Sequence, residues 1–110
     1  IGGAQQWTYH ENSSAALTDT TVHASCGVGL FNYISSVAFS SGAATQMTLL
    51  IEDGTTTTIL GPWYLEAVNG RGAVINFFPA KKQTTSATLI SVTTTGAVAH
   101  SIDVQGWCAE

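Results

Sequence analysis

Thr45-Gln46-Met47-Thr48-Leu49-Leu50-Ile51, then Glu52-Asp53-Gly54, then Thr55-Thr56-Thr57-Thr58-Ile59-Leu60 is the stretch that decides the fold class. Asp53-Gly54 accepts the positive φ of a type I′ turn, and β-rich runs flank it on both sides. Threonine is β-branched: it suits a half-wet pleated surface, whereas a helix restricts its χ1. The stretch predicts a hairpin, Thr45–Ile51 returning as Thr55–Leu60, with a hydroxyl-rich solvent face.

The same cadence runs outward in both directions, with turn signals at the roughly 8–12-residue spacing of sandwiches and barrels. Upstream, Thr20–Cys26 and Val28–Phe39 read as strands. The longer run is apolar in both phases, with Leu30, Ile34 and Ala38 in one and Phe31, Tyr33, Val37 and Phe39 in the other. It is therefore expected to be central and covered on both faces, or to cross a bend. Ser40-Ser41-Gly42 marks a turn. Downstream, Gly61-Pro62 breaks the strand, and the missing amide donor of Pro62 puts that break at an edge or corner. Trp63–Val68 and Ala73–Phe78 read as a second hairpin around Asn69-Gly70-Arg71-Gly72, and Ser86–Thr93 with Ala97–Trp107 as a third around Thr94-Thr95-Gly96. In the last run Val98, Ile102 and Val104 alternate with Ala99, Ser101, Asp103 and Gln105, the pattern of a half-buried strand.

No helix of useful length is expected. The fold class is all-β, an antiparallel two-sheet β-sandwich, jelly-roll-like, with an extended N-terminal arm. Residues 1–18 lack sustained periodicity and form that arm, with one short strand near Gln6–Tyr9; residues 19–110 form the sandwich domain. Trp7 and Tyr9 of the arm either tuck onto their own domain or dock on a neighbour.

A chain of 110 residues holds one core and can bury about two-thirds of its unfolded surface. It is 45% hydrophobic and only 9% charged, with a net charge of −4 and Arg71, Lys81 and Lys82 as its only Lys or Arg residues. So few cations exclude a nucleic-acid backbone or an anionic membrane surface as partner. No apolar run approaches the roughly 20 residues that span a bilayer. Ile1–Gln6 has neither a basic nor an apolar signal-peptide region. Weak charge also means weak colloidal repulsion, which points to an assembly that covers much of the surface.

Nothing in the chain reads as catalytic, cofactor-binding or metal-binding machinery, so no enzyme activity and no cofactor are expected. No serine lies in a G-x-S-x-G elbow. His10, His23 and His100 are far apart, without an H-x-H or H-E-x-x-H arrangement. His100 lies on the apolar phase of its strand, as a core or interface residue, and His10-Glu11 is expected to be solvated. His23 and Cys26, three apart in a strand, should face opposite ways and not meet. Glu52 and Asp53 abut a turn, where acids are commonly wet, and Glu66 could pair with Arg71. Cys26 and Cys108 are either one disulfide, suited to an oxidising compartment, or two buried thiols; the second is the expectation, and the spacing fits no zinc pattern. Asn12-Ser13-Ser14 matches a glycosylation sequon, a pattern that arises easily by chance. The aromatics remain: Trp7, Tyr9, Trp63 and Tyr64 are the candidate contact residues, and with Trp107 they form the group from which interface anchors or a sugar-stacking platform would be drawn.

The run from Gly27 to Trp107 resembles small β-sandwich virion proteins of tailed bacteriophages, the capsid decoration (cement) proteins and related head or fibre modules. Three stretches carry the resemblance: Val37-Ala38-Phe39-Ser40-Ser41-Gly42-Ala43-Ala44, Thr48-Leu49-Leu50-Ile51-Glu52-Asp53-Gly54-Thr55, and Thr88–Val98 leading to a final strand of the V-x-V-x-G-W/Y type. They are a style of hairpin and not a catalytic signature. The resemblance implies a structural protein located in the virion and assembled in the host cytoplasm. It implies a homo-oligomer, a trimer by preference, that contacts a capsid or other virion protein and is anchored through the N-terminal arm. The alternative is an extracellular, lectin-like β-sandwich that binds glycan through exposed aromatics.

Overall fold

Alternating apolar and hydroxyl-bearing residues are realised as strands throughout the computed structural model, which describes residues 5–41, 47–65, 71–95 and 99–110. Among the described residues the elements are β1 (Gln5–Ser13), β2 (Thr20–His23), β3 (Phe31–Ser41), β4 (Met47–Asp53), β5 (Thr57–Leu65), β6 (Arg71–Lys82), β7 (Ile90–Thr95) and β8 (His100–Ala109). They form two four-stranded antiparallel sheets, ordered β1-β8-β3-β6 and β2-β7-β4-β5. The all-β two-sheet sandwich is therefore as expected, and its strand order is that of a jelly roll.

The core is the meeting of the two inner faces. Trp7, Ile34, Val37, Phe39, Ile102 and Val104 come from the first sheet, and Val22, Leu49, Ile51, Ile90 and Val92 from the second. Each fully buried aliphatic side chain contributes about 1.5–3 kcal/mol of hydrophobic stabilisation. The mixed phases of β3 have a local cause. Ile34 pairs with Gly106 and Ser36 with Gln105, so Ser35 is an extra residue that bulges the strand. The bulge switches the phase, which lets Ile34 before it and Val37 and Phe39 after it all face the core. The Ser35 hydroxyl donates to the Gln105 carbonyl at 3.0 Å, tying the bulge to β8.

Two expectations about the β4–β5 hairpin change. The β4–β5 hairpin forms, but Asp53 pairs with Thr57, so a three-residue loop of Gly54-Thr55-Thr56 replaces the two-residue turn. The strand does not break at Gly61-Pro62: β5 runs through it with a bulge, since Leu49 pairs with Trp63 and Ile51 with Leu60. A Cβ on Gly61, whose φ is 87°, would lie 2.8 Å from the Leu49 carbonyl oxygen. β5 is an edge strand, where a proline without an amide donor is tolerated.

The second and third hairpins do not form. β5 and β6 lie in different sheets, as do β7 and β8, and β6 pairs with β3 instead. Period-2 patterning states which face of a strand is buried, not which neighbour shares its edge. The turns read at 42, 69–70 and 96 lie outside the described residues.

Residues 5–13 make a longer strand than Gln6–Tyr9, and that strand is an integral edge of the first sheet, in continuous register with β8 from Gln5↔Cys108 to Ser13↔His100. Trp7 sits opposite Gly106 in that ladder, and its ring covers the glycine.

Candidate functional site

At one end of the sandwich, polar side chains enter the space between the sheets. Asn32 and Gln83 are fully buried, and Asp53, the last residue of β4, is only 5% exposed. The Asn32 amide donates to Gln83 Oε1 at 2.6 Å, and the Gln83 amide returns a bond to the Asn32 carbonyl at 3.0 Å. Gln83 Nε2 donates to Asp53 Oδ1 at 2.9 Å and to the Thr88 carbonyl at 3.1 Å. Asp53 Oδ2 accepts from the amides of Thr84 and Thr85, at 3.0 and 2.9 Å, and from the Thr84 hydroxyl. Burial alone would push the Asp53 carboxyl up. The bonds from Thr84, Gln83 and the two amides outweigh it and hold that carboxyl below its ordinary value.

The network continues to His23. Asn32 Nδ2 donates to the carbonyls of Ala24 and Thr88, at 3.4 Å each, which orients the amide and leaves Oδ1 as acceptor. His23 Nδ1 lies 3.0 Å from that oxygen, which accepts, so Nδ1 carries the proton of this bond. The imidazole stacks on Trp7, with centroids 4.8 Å apart and planes 7° apart. Asn32 Oδ1 is also 3.0 Å from Cys26 Sγ and 3.9 Å from Cys108 Sγ. Cys26 and Cys108 form a disulfide, which corrects the expectation of two thiols. A separation of 82 residues in sequence becomes 5.6 Å between Cα atoms once β8 closes beside β3.

His23 and Cys26 do meet, contrary to the strand-phase argument. β2 ends at His23 after a register shift between Thr21 and His23, and Cys26 lies outside the strands, so the alternation of faces does not carry through to it. Ligand atoms of His23, Cys26 and Cys108 all lie within 4.8 Å of one another.

Glu52 and Asp53 are buried and not wet. Glu52, 8% exposed, accepts the Thr93 hydroxyl at 2.8 Å, and Asp19 Oδ1 lies 3.3 Å from the same hydroxyl. Burial pushes the Glu52 carboxyl above its usual range, Thr93 pulls it down, and the neighbouring Asp19 adds to the rise. The suggested Glu66–Arg71 pair lies outside the described residues.

The outer face of the first sheet is a ladder of small and polar residues. One row runs Asn12–Ser101–Ser40, and the next runs His10–Asp103–Ala38–Val74. His10 Nδ1 and Asp103 Oδ1 are 2.6 Å apart on this exposed face, an ion pair when the histidine is protonated and worth no more than about 1 kcal/mol there. Beside it is an open depression of about 500 Å³ lined by Ala38, Ser40, Val74, Ser101 and Asp103. Further along the face Tyr33 and Trp107 stack, with centroids 5.8 Å apart.

The aromatics singled out from sequence are placed largely inward. Trp7 is in the core. Tyr9 is half-buried against it, its hydroxyl donating to Glu11 at 3.1 Å, and burial followed by the Glu11 charge raises its phenol. Trp63 packs on the core and stacks with Phe39 at 5.4 Å. Tyr64 lies on β5 opposite Thr48, with its side chain outside those described. Trp63 and Trp107 belong to different sheets and form no common row.

Among the described residues, the large apolar side chains that do face solvent are others: Val28, Val74 and, completely, Phe78. Phe78 sits where β6 leaves the ladder. Asn76 pairs with Ser36 and Lys81 with Ile34, so residues 77–80 of β6 arch over the single extra residue of β3. The phase that joined Val74, Asn76 and Phe78 was the signal in the sequence, since Ile75 and Phe77 take the inward side.

No family model matches the chain, and no curated protein matches it. Among solved structures it is similar to a chain of the extra small virus (XSV) VLP of the giant freshwater prawn Macrobrachium rosenbergii, at 16% identity and a TM-score of 0.35, covering 97% of this chain and 80% of that one.

Proposed function

We propose that the protein is a structural subunit of a virus particle, and that it decorates or cements a phage head as a homo-oligomer. The observation that carries this reading is Phe78. A phenylalanine that is fully exposed, on a bulged edge strand with Val74 nearby in the same phase, is costly in a free monomer and useful in a contact. The surroundings agree with it. With 9% charged residues, the chain has hydroxyl-rich faces and little long-range repulsion between copies. Burying apolar surface between subunits asks only for shape and area.

The test measures mass in solution and binding to particles that lack the protein. Wild type should be oligomeric and should bind, and Phe78→Asp should lose both while keeping its fold. A wild-type monomer without affinity for such particles would overturn the reading.

Carbohydrate binding is a second reading, favoured by Tyr33 and Trp107 on a face that also carries Asn12, Ser40, Ser101 and Asp103. A glycan array would detect it, with Trp107→Ala abolishing the signal. An array without binding by wild type would dismiss it.

A further inference from the structure

We propose that the residues joined by the disulfide also form a zinc site when the bond is reduced, with His23, Cys26 and Cys108 as ligands and Asn32 Oδ1 completing the set. Two thiolates and one imidazole are donors of tetrahedral zinc sites, and the Asn32 amide oxygen takes the fourth position that such three-ligand sites leave open. Three separate segments converge there: the end of β2, the turn after it and the C-terminal part of β8.

Zinc bonds of about 2.3 Å to sulfur and about 2.0–2.1 Å to nitrogen or oxygen place tetrahedral ligand atoms roughly 3.3–3.8 Å apart. Asn32 Oδ1 already stands 3.0 Å from His23 Nδ1, 3.0 Å from Cys26 Sγ and 3.9 Å from Cys108 Sγ. The sulfurs must separate on reduction, and the positions of the two cysteines allow it. Cys108 is held in the ladder of β8, whereas Cys26 lies outside the strands, next to Gly27 at a φ of 118°.

The surrounding structure orients the ligands before any ion arrives. Stacking on Trp7 fixes the plane of His23, and the Ala24 and Thr88 carbonyls hold the Asn32 amide so that its oxygen faces the sulfurs. Such outer partners fix ligand orientation at metal sites.

The chemistry balances with a low-molecular-weight thiol as reductant. Two thiols reduce the disulfide to two cysteine thiols and leave as their own disulfide. Zinc then binds both sulfurs as thiolates and His23 through Nδ1, and the two thiol protons are released. The ring passes to its Nε2–H tautomer, so that the Nδ1–H bond to Asn32 Oδ1 gives way to the metal. The chain would be cross-linked covalently in an oxidising compartment and by the metal in a reducing one.

The experiment uses the full chain, oxidised or reduced, with Co²⁺ and then Zn²⁺ as probes. The reduced chain should take one Co²⁺, showing the absorption of tetrahedral, thiolate-bound cobalt, and should release it to Zn²⁺; the oxidised chain should show neither. With free Zn²⁺ at about a hundred times its Kd, the melting temperature of the reduced chain should rise by about 12 °C, against no change when oxidised. His23→Phe keeps a ring to stack on Trp7 but removes the nitrogen, and should weaken Zn²⁺ binding more than about tenfold. A reduced chain that stays folded but gives no cobalt spectrum and no shift overturns the proposal. So does an unchanged affinity in His23→Phe. If reduction unfolds the chain, Zn²⁺ must restore the fold, and failure to do so also overturns it.

Discussion

Replacing Cys26 and Cys108 together by alanine removes the cross-link and leaves the polar network around Asn32 in place. The two residues are 82 apart in sequence, so the bond closes most of the chain into one loop. For a loop of that length, the chain-entropy account gives about 4.5 kcal/mol of stabilisation, near the top of the measured 2–5 kcal/mol range. With an unfolding entropy of about 2.1 cal/mol/K per residue, a chain of 110 residues changes its melting temperature by roughly 4 °C per kcal/mol. The double variant should therefore melt about 15–20 °C below the oxidised wild type. Differential scanning calorimetry at one pH and without metal measures this directly, and urea unfolding should show a lower midpoint. The bond joins a residue just beyond β2, in one sheet, to β8 in the other, so the loss should appear in a single cooperative transition. A drop under about 5 °C would refute the reasoning, because the unfolded chain would then have to be as constrained without the bond as with it.

Gly106→Ala should destabilise by more than about 3 kcal/mol, read as lost soluble yield or a collapsed urea midpoint: the new Cβ would lie 2.6 Å from Trp7 Cζ2 and closer still to the Tyr33 carbonyl oxygen, in the backbone of the neighbouring strand. Asp53→Asn should cost about 1.5–3 kcal/mol at pH 7, since it turns bonds to a charged acceptor into neutral ones. The folded carboxyl of Asp53 titrates below its unfolded value, so its stabilisation is present above the unfolded pKa and is lost as pH falls through the folded one. Urea midpoints from pH 7 into acid should therefore fall more steeply for wild type than for Asp53→Asn. Glu52 has the opposite sign: its folded pKa is raised, so Glu52→Gln should be more stable than wild type at pH 7, and that gain should vanish as pH drops through the raised value. Phe78→Asp should leave the urea midpoint within about 0.5 kcal/mol of wild type, while self-association measured by sedimentation is lost.

How much of the fold was legible depended on whether the deciding interaction was local. The period-2 pattern of β8 was readable because each residue reports its own face, and Ile102 and Val104 do point inward while Ser101, Asp103 and Gln105 do not. The bulge at Ser35 was not readable: one extra residue changes phase without changing composition, and left β3 looking apolar on both sides. Pairing partners were equally hidden, since β6 finds β3 some 40 residues back while its nearest sequence neighbour β5 joins the other sheet. Asp53 is buried at a turn because Thr84 and Thr85, 31 and 32 positions downstream, come to it. β1 did carry its own signal, with Trp7 and Tyr9 facing inward between exposed Gln6, Thr8 and His10.

That alternation moves the weight of the contact argument. Trp7 is spent on the core and on covering Gly106, Tyr9 is half-buried, and Trp63 packs against Phe39. An anchor built from the aromatics of residues 1–18 would have to pull Trp7 out of the core, at a cost of about 3–5 kcal/mol for an aromatic side chain of that size. Phe78 needs no such rearrangement, because it already stands in solvent on the arch of β6. Among the described residues, Phe78 and Val74 put two of the three exposed large hydrophobic side chains on β6. A partner should therefore be sought along β6 before it is sought along the N-terminal strand.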